Sequence, residues 1–202
     1  MEQKNDYKLQ ILIAFLILLI SVSFSVFKSP PEKIQKTAAV SWFRAGEKPL
    51  IQAEAYLIKF AGEKGYLLKQ REWKRLAPAS LTKLLTVVLV EEELNPFDRI
   101  SVSAEAKMVE AKISPVDKGE ALTKDDLLKL ALSGSANDIA LALAEEIGHK
   151  YGANNLEDSL KIFRGLAEKK TSELGLLESS FQNPVGLDEP EHYTTAEDLV
   201  TL

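Results

Sequence analysis

The 202 residues are 46% hydrophobic and 27% charged, an ordinary globular mixture with room for one domain plus extras. A net charge of −5 leaves no basic footprint for nucleic acid, so no nucleic-acid partner is expected. With no cysteine and only His149 and His192 as histidines, disulfides, thiol nucleophiles and thiolate or multi-histidine metal sites are excluded.

The chain opens on a mixed-charge segment, residues 1–8. Leu9 to Phe27 then run 19 residues without a charge and end at Lys28. At helical rise such a run spans roughly the ~30 Å hydrocarbon core of a bilayer. Two readings stand. Ser21, Ser23 and Ser25 supply small residues for a cleavage site. The run is longer than the usual signal-peptide core of about 7–15 residues, which favours a retained anchor over residues 1–28. Either way the remainder is expected on the extracytoplasmic side. Residues 29–48, with Pro30-Pro31, read as a linker, and 49–202 as the main folded domain.

Ala53–Phe60 and Tyr66–Gln70 flank the Gly-containing turn 61–65 and predict an antiparallel hairpin. A helix follows from Leu81 to Glu93, apolar almost all round and therefore expected to be buried, with Ser80 at its tip. Ile100–Ser103 reads as a short strand or an extended piece. Thr123-Lys-Asp-Asp126 resembles a capping box and opens a helix that stops at Ser133-Gly134. Further helices are predicted over Asn137–His149 and over Leu156–Leu174, the latter closed by Gly175. Phe181–Leu187 is a turn-rich loop, and Thr194-Thr-Ala-Glu197 caps a last helix.

Ser80 and Lys83 stand three apart at a helix start, where side chains are neighbours with Cβ atoms about 5–6 Å apart. A serine hydroxyl becomes a nucleophile when a nearby base takes its proton. A lysine serves as that base once burial and the positive end of the helix dipole favour its neutral form. The helix amino end also offers N–H groups to a developing oxyanion. Ser-x-x-Lys alone is equally compatible with a cap and a surface lysine. Ser135-Ala-Asn137 sits in a tight break between two apolar helices, where both side chains can point into one cleft. The competing account is a turn with an N-cap.

Taken together, Ala77-Pro-Ala-Ser-Leu-Thr-Lys83, Ser133-Gly-Ser-Ala-Asn-Asp138, Phe181-Gln-Asn-Pro-Val-Gly-Leu187 and Thr195-Ala-Glu-Asp-Leu199 resemble the serine-type D-Ala-D-Ala carboxypeptidases. These are low-molecular-mass penicillin-binding proteins of peptidase family S11. The resemblance covers about residues 50–202. It implies an α/β fold of the beta-lactamase and penicillin-binding type, a helical subdomain on an antiparallel sheet, behind an N-terminal transmembrane helix. It implies Ser80 as the acylated nucleophile, Lys83 as its base, Ser135 as a proton relay and Asn137 as a substrate-peptide contact. Peptidoglycan stem pentapeptides would be the substrate and beta-lactams inhibitors, with no metal or cofactor.

The family's third motif, Lys-Thr-Gly on a later strand, does not occur before Leu202. Lys170-Thr-Ser172 precedes Phe181 and falls in a predicted helix, so it is rejected. The expectation is therefore an N-terminal portion of a longer product, with an open sheet edge and feeble turnover. Two alternatives accompany this reading. One is a class A beta-lactamase-like hydrolase, for which Glu91-Glu-Glu-Leu-Asn95 supplies a Glu-x-x-Leu-Asn, though before the Ser135 motif and at the far helix end. The other is an inactive, membrane-tethered module that binds peptidoglycan.

Overall fold

The computed structural model describes residues 51–111 and 113–202. The predicted anchor over 9–27 and the linker 29–48 lie outside the described residues. Among those described, no helix is long and apolar enough to cross a membrane.

The first hairpin pairs β1 (Tyr56–Ile58) with β2 (Leu68–Gln70), Tyr56 opposite Gln70 and Ile58 opposite Leu68. Both strands are shorter than the predicted 53–60 and 66–70. The chain already turns at Phe60, whose carbonyl accepts from Glu63 N at 3.1 Å, which ends β1 short of its predicted boundary.

A 3₁₀ turn over Ala79–Leu81 leads into α1 (Thr82–Glu93). Two expectations for this element are corrected. Ser80 is exposed on the turn rather than buried at a tip. The helix is not buried all round, because Leu81 and Leu84 are 51% and 41% exposed. Its buried face is instead mixed. Leu85, Leu89 and Val90 enter the core, while Thr82, Lys83 and Thr86 are buried against the loop 183–186. Those polar groups tolerate burial because they are hydrogen-bonded, as Thr86 Oγ1 is to the Pro184 carbonyl at 2.7 Å.

β3 (Arg99–Ser101) pairs antiparallel with β4 (Ala121–Thr123). Between them lies α2 (Ala104–Lys107), started by Ser103, whose hydroxyl accepts from Ala106 N at 3.0 Å. The sequence reading missed β4 and α2: three residues carry no periodicity, and the pairing partner is distant in the chain.

α3 (Lys124–Ser133) begins at Thr123, which accepts from Asp126 N as its capping pattern predicts. α4 (Asn137–Lys150) follows after a short break. α5 (Leu156–Leu174) is capped by Asn155 and ends at Gly175, whose φ of 71° is the left-handed conformation a glycine takes without Cβ penalty. α6 (Ala196–Thr201) starts one residue later than predicted. Its cap is Thr195, because Thr194 is held extended by reciprocal backbone bonds to Leu76 of 2.9 and 3.0 Å.

α4 forms the centre of the core. Ile139, Leu143 and Ile147 are fully buried among Leu85 of α1, Leu127 of α3 and Phe163 of α5. Burying side chains of this size contributes about 1.5–3 kcal/mol each. The α4–α5 crossing is close at Gly148, where a Cβ would lie 2.2 Å from Ser159 Oγ. The core thus fixes the amino ends of α1 and α4 beside each other.

Candidate active site

The four residues singled out in the sequence converge. Lys83 Nζ lies 3.3 Å from Ser80 Oγ and donates to Asn137 Oδ1 at 2.8 Å. Ser135 Oγ donates to Ser80 Oγ at 2.8 Å. Lys83 is only 2% exposed, and its amine also donates to the Val185 carbonyl at 2.9 Å. Ser80 therefore receives two side chains from different elements at one hydroxyl, which is the geometry of a serine with a base and a proton relay at hand.

Local backbone brings this about at a cost. Ala79 and Ser135, which flank the meeting point, have φ of 48° and 54°. Each left-handed non-glycine residue costs about 1–2 kcal/mol. The turn before α1 is braced by Gly186. Its φ is 89°, and a Cβ there would lie 1.8 Å from the Ala79 carbonyl oxygen, so only glycine permits the contact. Beside Ser80 opens a cleft of about 480 Å³ whose walls include Leu81, Leu84, Ala131, Leu132 and Ser135.

Sequence reasoning missed the supports. His192 Nδ1 accepts from Gln182 N at 3.0 Å, so its Nε2 carries the proton and donates to Thr82 Oγ1 at 2.9 Å. Burial holds His192 below its ordinary pKa, against the pull of Glu189 and Asp188. Asp138, fully buried, accepts from Ser114 N at 2.9 Å, Ser114 Oγ at 2.7 Å and Lys107 Nζ at 2.7 Å. Its burial alone would raise the carboxyl's pKa. The hydrogen bonds from Lys107 and Ser114 outweigh that and hold it below the usual range. An aspartate in an Ala- and Leu-rich helix start was a visible signal. The Val185 carbonyl left none, because main-chain acceptors have no residue type.

The rejected patterns lie elsewhere. Lys170-Thr-Ser172 is inside α5, with Thr171 bonded to the Glu168 carbonyl at 2.8 Å and Lys170 paired with Glu92 and Glu173. Glu91 is eleven residues along from Ser80, about 16 Å by helical rise, and accepts from Lys124 at 2.6 Å. Among the described residues no group of three or more histidine or carboxylate side chains could hold a metal ion.

The family model described as D-alanyl-D-alanine carboxypeptidase (Peptidase_S11) matches residues 43–202. The chain belongs to this family. The S11 match spans both the Ser80–Lys83 stretch and the 133–138 break. Among curated relatives, a D-alanyl-D-alanine carboxypeptidase DacF of Bacillus subtilis is 34% identical over 134 residues, 64% of this chain and 32% of the relative. A D-alanyl-D-alanine carboxypeptidase DacC of Escherichia coli is 28% identical over 77% of this chain and 40% of its own length. The chain thus spans about a third to two fifths of the length of these relatives. Among solved structures, the Streptomyces K15 DD-transpeptidase superposes with a TM-score of 0.70 at 25% identity, over 77% of this chain and 60% of that one. The fold, helices with antiparallel hairpins, is accordingly of the penicillin-binding, DD-peptidase type.

Proposed function

We propose that this S11 chain is a serine-type D-Ala-D-Ala carboxypeptidase that acts on peptidoglycan stem pentapeptides through an acyl-enzyme and is acylated by beta-lactams. The observation that carries the reading is the single cluster of Ser80, Lys83, Ser135 and Asn137. Lys83, uncharged, takes the Ser80 proton as Oγ attacks the carbonyl before the terminal D-alanine. The backbone at the amino end of α1 stabilises the oxyanion. Ser135 passes the proton to the departing D-alanine amine, and Asn137 holds the substrate's peptide backbone. Water then attacks the ester, giving the shortened stem and free Ser80. The neighbouring carboxypeptidases and penicillin-binding proteins support this assignment of substrate and inhibitor.

The lactamase-like alternative finds no support in the placement of Glu91 at the opposite end of α1. For location, we extend the proposal to a membrane anchor over residues 9–27 with residues 49–202 on the extracytoplasmic side. The supporting feature is the uncharged run of 19 residues. The test of function is labelling with a fluorescent penicillin. Covalent label on the wild-type chain, lost in Ser80→Ala and released slowly, is the expected result. A wild-type chain that binds muropeptides and takes no label would replace the enzyme by a binding module; rapid penicillin turnover would point to the lactamase.

A further inference from the structure

The orientation of the Asn137 amide is decided from outside the catalytic cluster. Its Nδ2 donates to the Glu110 carbonyl at 2.9 Å, which leaves Oδ1 to accept from Lys83. A flipped amide would set Oδ1 against the Glu110 carbonyl, two acceptors face to face, and would aim Nδ2 at the lone pair that an uncharged Lys83 needs for Ser80. Glu110 belongs to the connection between Lys107 and Ser114, where residues 108–111 form no helix or strand. Lys107 and Ser114 stand at its two ends, and both are bound to one buried carboxylate, that of Asp138. Lys107 reinforces the closure by donating to the Ser114 carbonyl at 3.1 Å.

We infer that Asp138 is a positioning residue. By gathering Lys107 and Ser114 it seats the Glu110 carbonyl on Asn137 Nδ2, and so sets which end of that amide faces Lys83. Its place next to Asn137 in the first turn of α4 makes this economical: successive residues of one rigid helix hold the loop and receive its carbonyl. The catalytic consequence rests on the proposed acylation chemistry, whereas the amide geometry stands without it.

The experiment follows the Asn137 side-chain NH₂ signal by NMR, assigned through its loss in Asn137→Ala. In the wild-type chain this pair is expected to be protected from solvent exchange. In Asp138→Asn its exchange should quicken by about tenfold or more, the scale of one unmade buried hydrogen bond. Penicillin acylation, measured well below the unfolding temperature, should slow by a similar factor. Ser114→Ala, which keeps the ion pair, should move both readouts the same way by less. An Asn137 signal and an acylation rate unchanged in Asp138→Asn, with only the unfolding temperature lowered, would reduce Asp138 to a structural ion-pair partner. Should Asp138→Asn fail to fold, unchanged exchange of Asn137 in Ser114→Ala overturns the inference. A wild-type chain that takes no penicillin would count against the proposed function, while the exchange measurement would still judge the positioning.

Discussion

Two kinds of helix start coexist in this domain. α3, α5 and α6 begin on Thr123, Asn155 and Thr195, each of which accepts a hydrogen bond from the backbone three residues ahead. α1 and α4 begin on Leu81 and Ala136 with no side-chain cap, just after Ala79 and Ser135 in left-handed backbone. The uncapped starts are rich in residues that could have capped them. Ser80, Ser135 and Asn137 bond across the cleft instead, to one another and to Lys83. Local stability is forgone where these side chains are committed to one shared polar cluster, a pattern expected of strained functional sites.

The sharpest way to break this comparison is Lys83→Ala. Removing the proposed base should lower penicillin labelling by about a thousandfold or more, in the upper part of the usual range for one acid–base group because nucleophile activation is lost as well. Labelling at the wild-type rate would show that the amine is there for packing alone. Next in size is Gly186→Ala. A methyl group within bonding distance of the Ala79 carbonyl, at a left-handed φ, should cost about 3 kcal/mol or more in urea unfolding. A near-neutral result would mean that the loop and the Ser80 turn are not braced as described.

Acid should act next, through His192 and Asp138. Burial lowers the folded-state pKa of His192, so below about pH 6.5 the unfolded chain binds the extra proton and stability falls. Protonation would also put an N–H on Nδ1 against the Gln182 amide. Asp138 works in a lower window. Its carboxyl is held below the ordinary value, so its contribution is intact above about pH 4 and is lost as pH falls through the folded pKa. Urea midpoints between pH 7 and 5 should drop in the wild-type chain and drop less in His192→Gln; equal slopes would remove His192 from the account. Smallest is the control at an ordinary helix start. Asn155→Ala should cost about 1 kcal/mol and leave labelling of Ser80 untouched. A matching fall in labelling would erase the distinction between the two classes of start.

The same division governs what could be read from residues alone. Thr123 and Gly175 announce their helix ends because capping chemistry is local. The pairing of Ser80 with Lys83 is likewise local, fixed by helical spacing. Ser135 and Asn137 were legible as a polar break, and their meeting with Ser80 and Lys83 respectively followed from the family resemblance. What escaped was non-local or lacked a side-chain signature. β4 depends on a partner twenty residues away, as Ser101 opposite Ala121 shows. The acceptor at Val185 is a carbonyl. Leu81 and Leu84 are apolar yet exposed, because the buried side of α1 is taken by Leu85, Leu89 and Val90 together with the polar Thr82, Lys83 and Thr86. Thr194 looks as good a cap as Thr195, but its backbone is bridged to Leu76 and its hydroxyl is bonded to that of Ser179.

The absent side chain at Gly148 reaches further than its position suggests. It stands eleven residues along α4 from Asn137, about 16 Å by helical rise, yet its backbone rests directly on Ser159 of α5. A long helix splinted so closely transmits displacement as a lever does. One methyl group wedged in at the far end would tilt the near end and spoil the aim of Asn137, so remote small-to-large changes at this crossing can silence the cleft without touching it.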